Sequence, residues 1–218
     1  MSEFDRLKQR HRLIRDRYPQ NLNLRIHRSL SWLQRAEVAD DGDSRFIYLW
    51  ISFNAAYAHE INDAVRLSEQ ETFRSFIDKL CLLDRKRLID NLIWKEFSGS
   101  IRILLNNPYV FQSFWDFHNG KLPEAVWEDR FARGRQSAQE ALASSDSPLL
   151  LSIVFNRIYT LRNQIMHGGA TWNSMVNRSQ LRDCVNLLFK LVPVIIELMM
   201  DNPDTEWGKP CYPVIAAD

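Results

Sequence analysis

The segment Arg162-Asn163-Gln164-Ile165-Met166-His167-Gly168-Gly169 holds the side chains most able to do chemistry. An arginine presents a planar fork of N–H donors that matches a phosphate or another oxyanion. A histidine five residues later can give or take a proton near neutral pH. Asn163, directly after the arginine, adds both a donor and an acceptor. The pair therefore suits proton transfer on an anionic group. A structural alternative stands beside it. Arg162 falls between Leu151, Phe155 and Met166 on a helical wheel, where an arginine needs a carboxylate or carbonyl partner because an unpaired buried charge is costly. His167 would then be no more than the last residue of a helix.

Other sources of chemistry are missing from the sequence. There is no Gly-rich phosphate loop, no His-Glu-x-x-His and no Gly-x-Ser-x-Gly. His59-Glu60 has no second histidine four residues on, and the histidines at 11, 27, 59, 118 and 167 lack metal-ligand spacing. Neither a metal nor an organic cofactor is expected. Cys81, Cys184 and Cys211 are odd in number and scattered, which argues against a disulfide framework and a structural zinc site and points to a reduced, cytoplasmic compartment. The N-terminal MSEFDRLKQRHRLIRDR lacks the apolar core of a secretory signal. The most apolar run, Leu191 to Met200, is too short to span a bilayer and contains Pro193 and Glu197. A buried helix explains it, and no membrane association is expected.

The 218 residues suffice for one domain with a core of its own. Hydrophobic residues at 45% and charged residues at 25% are ordinary for a globular chain, and 7 Gly and 8 Pro are too few for a turn-rich β-sandwich. The expected class is all-α. Net charge is only +1, yet it is uneven. Eight cations (Arg6, Lys8, Arg10, Arg12, Arg15, Arg17, Arg25 and Arg28) face one acid, Asp16, between Arg6 and Arg28. Such a segment can contact phosphates or form a solvated helix face.

The elements that must position Arg162 and His167 are helices. Leu150, Val154, Ile158, Leu161 and Ile165 recur at spacings of 4, 4, 3 and 4, which predicts a strong helix over 148–167. Gly168-Gly169 ends it. Asn177, with Gln180 three residues on, reads as a capping box for a last helix over 178–201. Earlier helices are predicted over 1–17, 22–39 and 44–64. The third is apolar round most of its circumference and should cross the core, with Asp43 or Ser44 as its cap and Asn54 inside it needing hydrogen-bond partners. Shorter helices are predicted over 69–80, 84–94, 98–105, 109–118 and 123–143. Residues 68–145 read as a helical insertion or cap rich in packing aromatics, and 202–218 as an irregular tail.

The Arg-x4-His arrangement near the end of an apolar helix, with a core helix after it, resembles the Arg-x4–6-His signature of the HEPN superfamily. HRSLSWLQRAE, the acidic break and RFIYLWISFNAAYA resemble the opening helix pair of such proteins. The resemblance covers about residues 22–64 and 148–201. It implies an up-and-down helical bundle and a metal-independent endoribonuclease, often a toxin or defence effector. RNA carries its own nucleophile, the 2′-OH. His167 would be the general acid or base, Arg162 the clamp on the phosphorane, and Asn163 would orient the phosphate or His167. The implied partners are RNA, a second copy of the chain, and an antitoxin or a nucleotidyltransferase-like protein. A catalytically silent HEPN-like module that binds RNA, a nucleotide or a protein is the alternative. Five residues turn an ideal helix by about 140° net, so Arg162 and His167 should not share a face. Either the last turn unwinds at the glycines, or two chains combine across a two-fold axis.

Overall fold

Helix boundaries in the computed structural model follow from local side-chain chemistry. The structure describes residues 1–58, 69–175 and 178–212. Among them it is all-α: ten helices, with short 3₁₀ turns, one π turn and no strand of a sheet. In α1 (Glu3–Ile14) the Ser2 hydroxyl accepts from Asp5 N–H, and Asp5 accepts in return from Ser2 N–H. This capping box fills two donors that would otherwise lack partners. The predicted first helix stops at Ile14, and Arg15–Arg17 tighten into a 3₁₀ turn before Pro19.

The chain divides into two compact units. One comprises residues 1–40, 44–85 and 188–218; the other comprises 41–43 and 86–187. In the first, α2 (Gln20–Glu37) packs beside α1, and α3 (Gly42–Tyr57) follows. Leu22, Ile26, Leu30 and Leu33 line the buried face of α2, as the periodicity requires. Ser29 and Ser52 join α2 to α3. Each hydroxyl donates to the other's backbone carbonyl, at 2.8 and 2.7 Å, and the two oxygens lie 3.0 Å apart. Both residues are fully buried, and only side chains this small permit such an approach. Phe53, Tyr57, Phe76 and Trp207 form an aromatic cluster that takes in α4 (Glu69–Leu83) and the tail.

Several expectations change here. Helix α3 begins at Gly42, so neither Asp43 nor Ser44 caps it. Asp43 lies in the first turn, and its carboxylate takes a forked pair of bonds from Arg178 at 2.7 and 2.9 Å, plus one from Asn173 N–H. A carboxylate that close to a long-range guanidinium is worth more in that pairing than at a cap. The 44–64 helix is described to Tyr57, and its remainder lies outside the described residues, as does the Asn177 capping box. Asn54 is half-buried and has no side-chain partner among the described residues.

In the second unit, α5 (Leu88–Asn91) continues as a π turn over Leu92–Glu96, so the predicted 84–94 helix is shorter and wider than expected. Helix α6 (Ser98–Leu105) lies where predicted. The predicted 109–118 helix splits at Phe111 into a 3₁₀ turn and α7 (Gln112–His118). Helix α8 (Glu124–Ser144) and α6 both pack on α9 (Ser147–Met166). Asp146 caps α9 by accepting from Leu149 N–H, and Pro148 sits in its first turn, where a missing N–H costs nothing. Leu150, Val154, Ile158 and Leu161 form its buried face. Helix α10 (Arg178–Asp201) starts in this unit and ends in the first.

Candidate functional site

Arg162, Asn163 and His167 all lie at the C-terminal end of α9, which the buried stripe of that helix holds in place. The helix does not unwind before His167. The His167 N–H bonds to Asn163 carbonyl at 3.0 Å, one regular helical turn back. Gly168 then takes a left-handed φ of 71°. Gly168 N–H bonds to Ile165 carbonyl and Gly169 N–H to Gln164 carbonyl, at 3.2 and 2.7 Å. These two bonds make a Schellman-type ending, which satisfies carbonyls that the helix leaves free. A Cβ on Gly169 would lie 3.1 Å from the Gln164 carbonyl oxygen. Gly168 is favoured by its φ, and Gly169 by the close approach, which a Cβ could meet only if the Gln164 carbonyl gave way by a few tenths of an ångström. With the last turn intact, Arg162 and His167 stay about 140° apart round the helix.

Arg162 is half-buried. Its Nη1 donates to Asn163 Oδ1 at 2.9 Å, and its guanidinium lies 5.7 Å from the centre of the Tyr159 ring. Its Nε is buried without a partner, and no carboxylate reaches it among the described residues. The expected core-edge ion pair is thus absent there. Asn163 serves Arg162, rather than His167, as the side chain it orients. His167 is exposed, and its imidazole has no partner among the described residues.

A cavity of ≈ 610 Å³ opens beside the motif. Asn163 and Gln164 line it from α9, Gln112, Trp115 and Asn119 from α7 and the residue after it, and Ser174 from the following loop. Gln164 Nε2 donates to Tyr109 carbonyl at 2.6 Å, and Trp115 Nε1 donates to the same oxygen at 2.8 Å. This shared acceptor fixes the 3₁₀ turn against α9. Ser174 Oγ is buried with no partner. The spacing of the residues in 109–119 carried no signal for this cavity, because its walls meet only through the fold.

One buried cation on α9 had no signature in the sequence. Arg157 is 3% exposed. Its guanidinium sits 4.2 Å from the Phe111 ring centre and 5.6 Å from that of Phe131. Burial lowers its pKa to about 10. Stacking on two rings is what holds it, by attraction of the cation to the ring faces. The neighbouring aromatics Phe114, Phe117, Trp127 and Phe131 pack on one another.

Four of the eight N-terminal cations are structural. Arg25, fully buried, donates to the carbonyls of Ala56, Ala58, Gly208 and Lys209. Burial lowers its pKa to about 10. Arg28 bonds to the carbonyls of Cys211 and Tyr212. Arg6 pairs with Glu197 and Arg10 with Asp201, both on α10. Those four are not available to a phosphate.

No group of three or more His, Cys, Asp or Glu side chains among the described residues is placed to hold a metal ion. No helix among them is long and apolar enough to cross a membrane. Set against protein-family models, curated proteins and solved structures, the chain matches none of them.

Proposed function

We propose that the chain is a metal-independent endoribonuclease of HEPN type, working as a homodimer and acting as a toxin or defence effector. The observation that carries this reading is the state of Arg162: held by Asn163 through Nη1, with its buried Nε unpartnered. An arginine oriented by a neutral neighbour keeps its charge for an incoming anion, whereas one bound to a carboxylate would already be neutralised.

The chemistry runs as follows. The 2′-OH of RNA attacks the adjacent phosphorus, and the P–O5′ bond breaks, leaving a 2′,3′-cyclic phosphate and a 5′-hydroxyl. His167 takes the 2′-OH proton or supplies the proton to the leaving O5′. Arg162 stabilises the doubly charged phosphorane. Helix geometry separates these two side chains, so a second copy supplies the missing half of each site. Exposed Met166, Trp172 and Met175 flank His167 in the sequence and offer an apolar rim for that copy.

The test is cleavage of single-stranded RNA in EDTA by purified protein of known oligomeric state. Wild type should give 2′,3′-cyclic phosphate ends, while His167→Ala and Arg162→Ala should give none and keep the wild-type melting temperature. A dimer that leaves RNA intact sinks the catalytic reading. If that same dimer binds RNA, a nucleotide or a protein stoichiometrically, the silent-module alternative takes its place.

A further inference from the structure

Helix α1 carries two sets of cations on opposite flanks. At about 100° per residue, inward-facing Leu7 and His11 separate Arg6 and Arg10 from Lys8 and Arg12. The first pair is matched by Glu197 and Asp201. The second pair meets no carboxylate within ion-pair distance among the described residues. Arg15 follows on the same side, and its guanidinium pairs with exposed Asp16 at 3.7 Å. Lys8, Arg12 and His27 line a groove of ≈ 550 Å³ between α1 and α2. Arg15, His27 and Lys209 line a second groove of ≈ 750 Å³. His27 lines both, so the two grooves adjoin as a basic trough.

We infer that this trough is a binding site for single-stranded RNA, with Lys8, Arg12 and Arg15 on its phosphates. Lys8 and Arg12 sit at successive turns of α1, about 6 Å apart along its axis, and Arg15 follows in the 3₁₀ turn at its end. Like charges held that close repel one another, and a polyanion removes the repulsion. Arg12 and Arg15 both lower the pKa of Lys8, and Lys8, Arg15 and Arg28 lower that of His27, each after the larger effect of burial. Two acids line the trough as well: Asp5, which accepts from Ser2 N–H at its own helix N-terminus, and Asp16, which pairs loosely with Arg15; they stand against Lys8, Arg12, Arg15 and Lys209. Between the cations lie Gln9, Ser31 and Gln34 in one groove and Gln20 and Asn21 in the other. These side chains donate and accept, as the edges of unstacked bases require. A membrane surface is a poorer fit, since it is flat and is held by inserted apolar side chains. The trough is concave, and its larger apolar groups are Phe4, Leu13 and Leu24.

The choice of RNA over single-stranded DNA rests on the proposed cleavage activity, whereas binding at the trough needs neither Arg162 nor His167. The experiment is fluorescence anisotropy with a labelled single-stranded RNA of about 20 nucleotides, using the 218-residue chain carrying His167→Ala so that no turnover interferes. Lys8→Gln with Arg12→Gln should weaken binding at least tenfold. It should also make the slope of log K against log salt shallower by about 1.4, at roughly 0.7 for each phosphate no longer neutralised. Arg102→Gln with Lys121→Gln, at exposed positions elsewhere, removes the same charge and should leave both quantities unchanged. Arg12→Gln with Arg15→Gln, at two exposed positions, repeats the test should the Lys8 variant fail to fold. Unchanged binding in both trough variants overturns the site. So does an equal weakening in the control pair, or co-sedimentation with phosphatidylserine vesicles that outcompetes RNA.

Discussion

Arg162 donates through Nη1 to Oδ1 of its own neighbour Asn163, over 2.9 Å, and the bond joins residues adjacent in sequence at the end of α9. Adjacent helical residues diverge by about 100°, so this bond is made by the long guanidinium swinging round the helix. It sets the direction in which the arginine presents its charge.

Asn163→Ala should therefore lower kcat for RNA cleavage on the order of tenfold to a hundredfold, the size of a missing hydrogen bond to a charged group. KM should change little. Asn163→Asp should fare no better, because a carboxylate there would neutralise Arg162 before substrate arrives. Steady-state kinetics on a short RNA reads both. A wild-type kcat in the alanine variant removes the positioning role.

The glycine pair sets where α9 stops. Gly168→Ala places a Cβ at a φ of 71° and should cost about 1–2 kcal/mol. Gly169→Ala brings its Cβ to 3.1 Å from the Gln164 carbonyl oxygen, so the loop must shift and its 2.7 Å bond should weaken. Urea unfolding measures the first effect. Amide exchange at residue 169 measures the second, and an unaltered exchange rate would contradict it.

Ser29 and Ser52 form one reciprocal unit at the α2–α3 crossing. Removing either hydroxyl takes a second bond from a carbonyl that its own helix still engages, at about 0.5–1.5 kcal/mol. The double alanine variant should cost less than the sum of the singles, since the two changes share their partners. A denaturant double-mutant cycle checks this. Strict additivity would mean that the hydroxyls act independently.

His11 ties stability to pH. Burial lowers its pKa, against the raising effect of its 3.1 Å bond to Asn23 Oδ1. Asn23 Nδ2 already donates to the Arg15 and Tyr18 carbonyls, so the oxygen faces the ring and Nε2 carries the proton. The positive charges of Lys8, His27 and Arg15 lower the pKa further. With a folded pKa below the unfolded value near 6.5, the unfolded chain takes up the proton first as pH falls. Stability from this residue is complete above about pH 6.5 and is lost as pH drops through the folded pKa. His11→Gln should flatten the difference in unfolding free energy between about pH 7.5 and pH 5. A parallel pH profile in the variant would assign that difference to other groups.

Short-range chemistry was legible in the sequence. The 4, 4, 3, 4 spacing on α9 requires a helix with one buried face, and two glycines after it require an end. Arg162, Asn163 and His167 could be named because they stand together on that end. The all-α class followed from the same local patterns, since helical hydrogen bonds join residues four apart. Short elements misled where local preference was weak: the 84–94 and 109–118 stretches break into turns that neighbouring packing decides.

What only the tertiary structure decided is which charges are free. Arg6 and Lys8 stand two residues apart with the same charge, and each has an acid three residues before it, Glu3 and Asp5; Glu3 pairs with Arg6 at 2.8 Å, and no such pair forms at Lys8 among the described residues. Glu197 meets Arg6 from 191 residues away, while no described carboxylate meets Lys8. The same holds for Asp43, a cap by its local sequence, which Arg178 reaches from 135 residues on. Ion pairing depends on distance in space, falling with separation and with exposure to water. Periodicity can place a charge on a face of its helix, but the partner on the other side is set by how the helices pack.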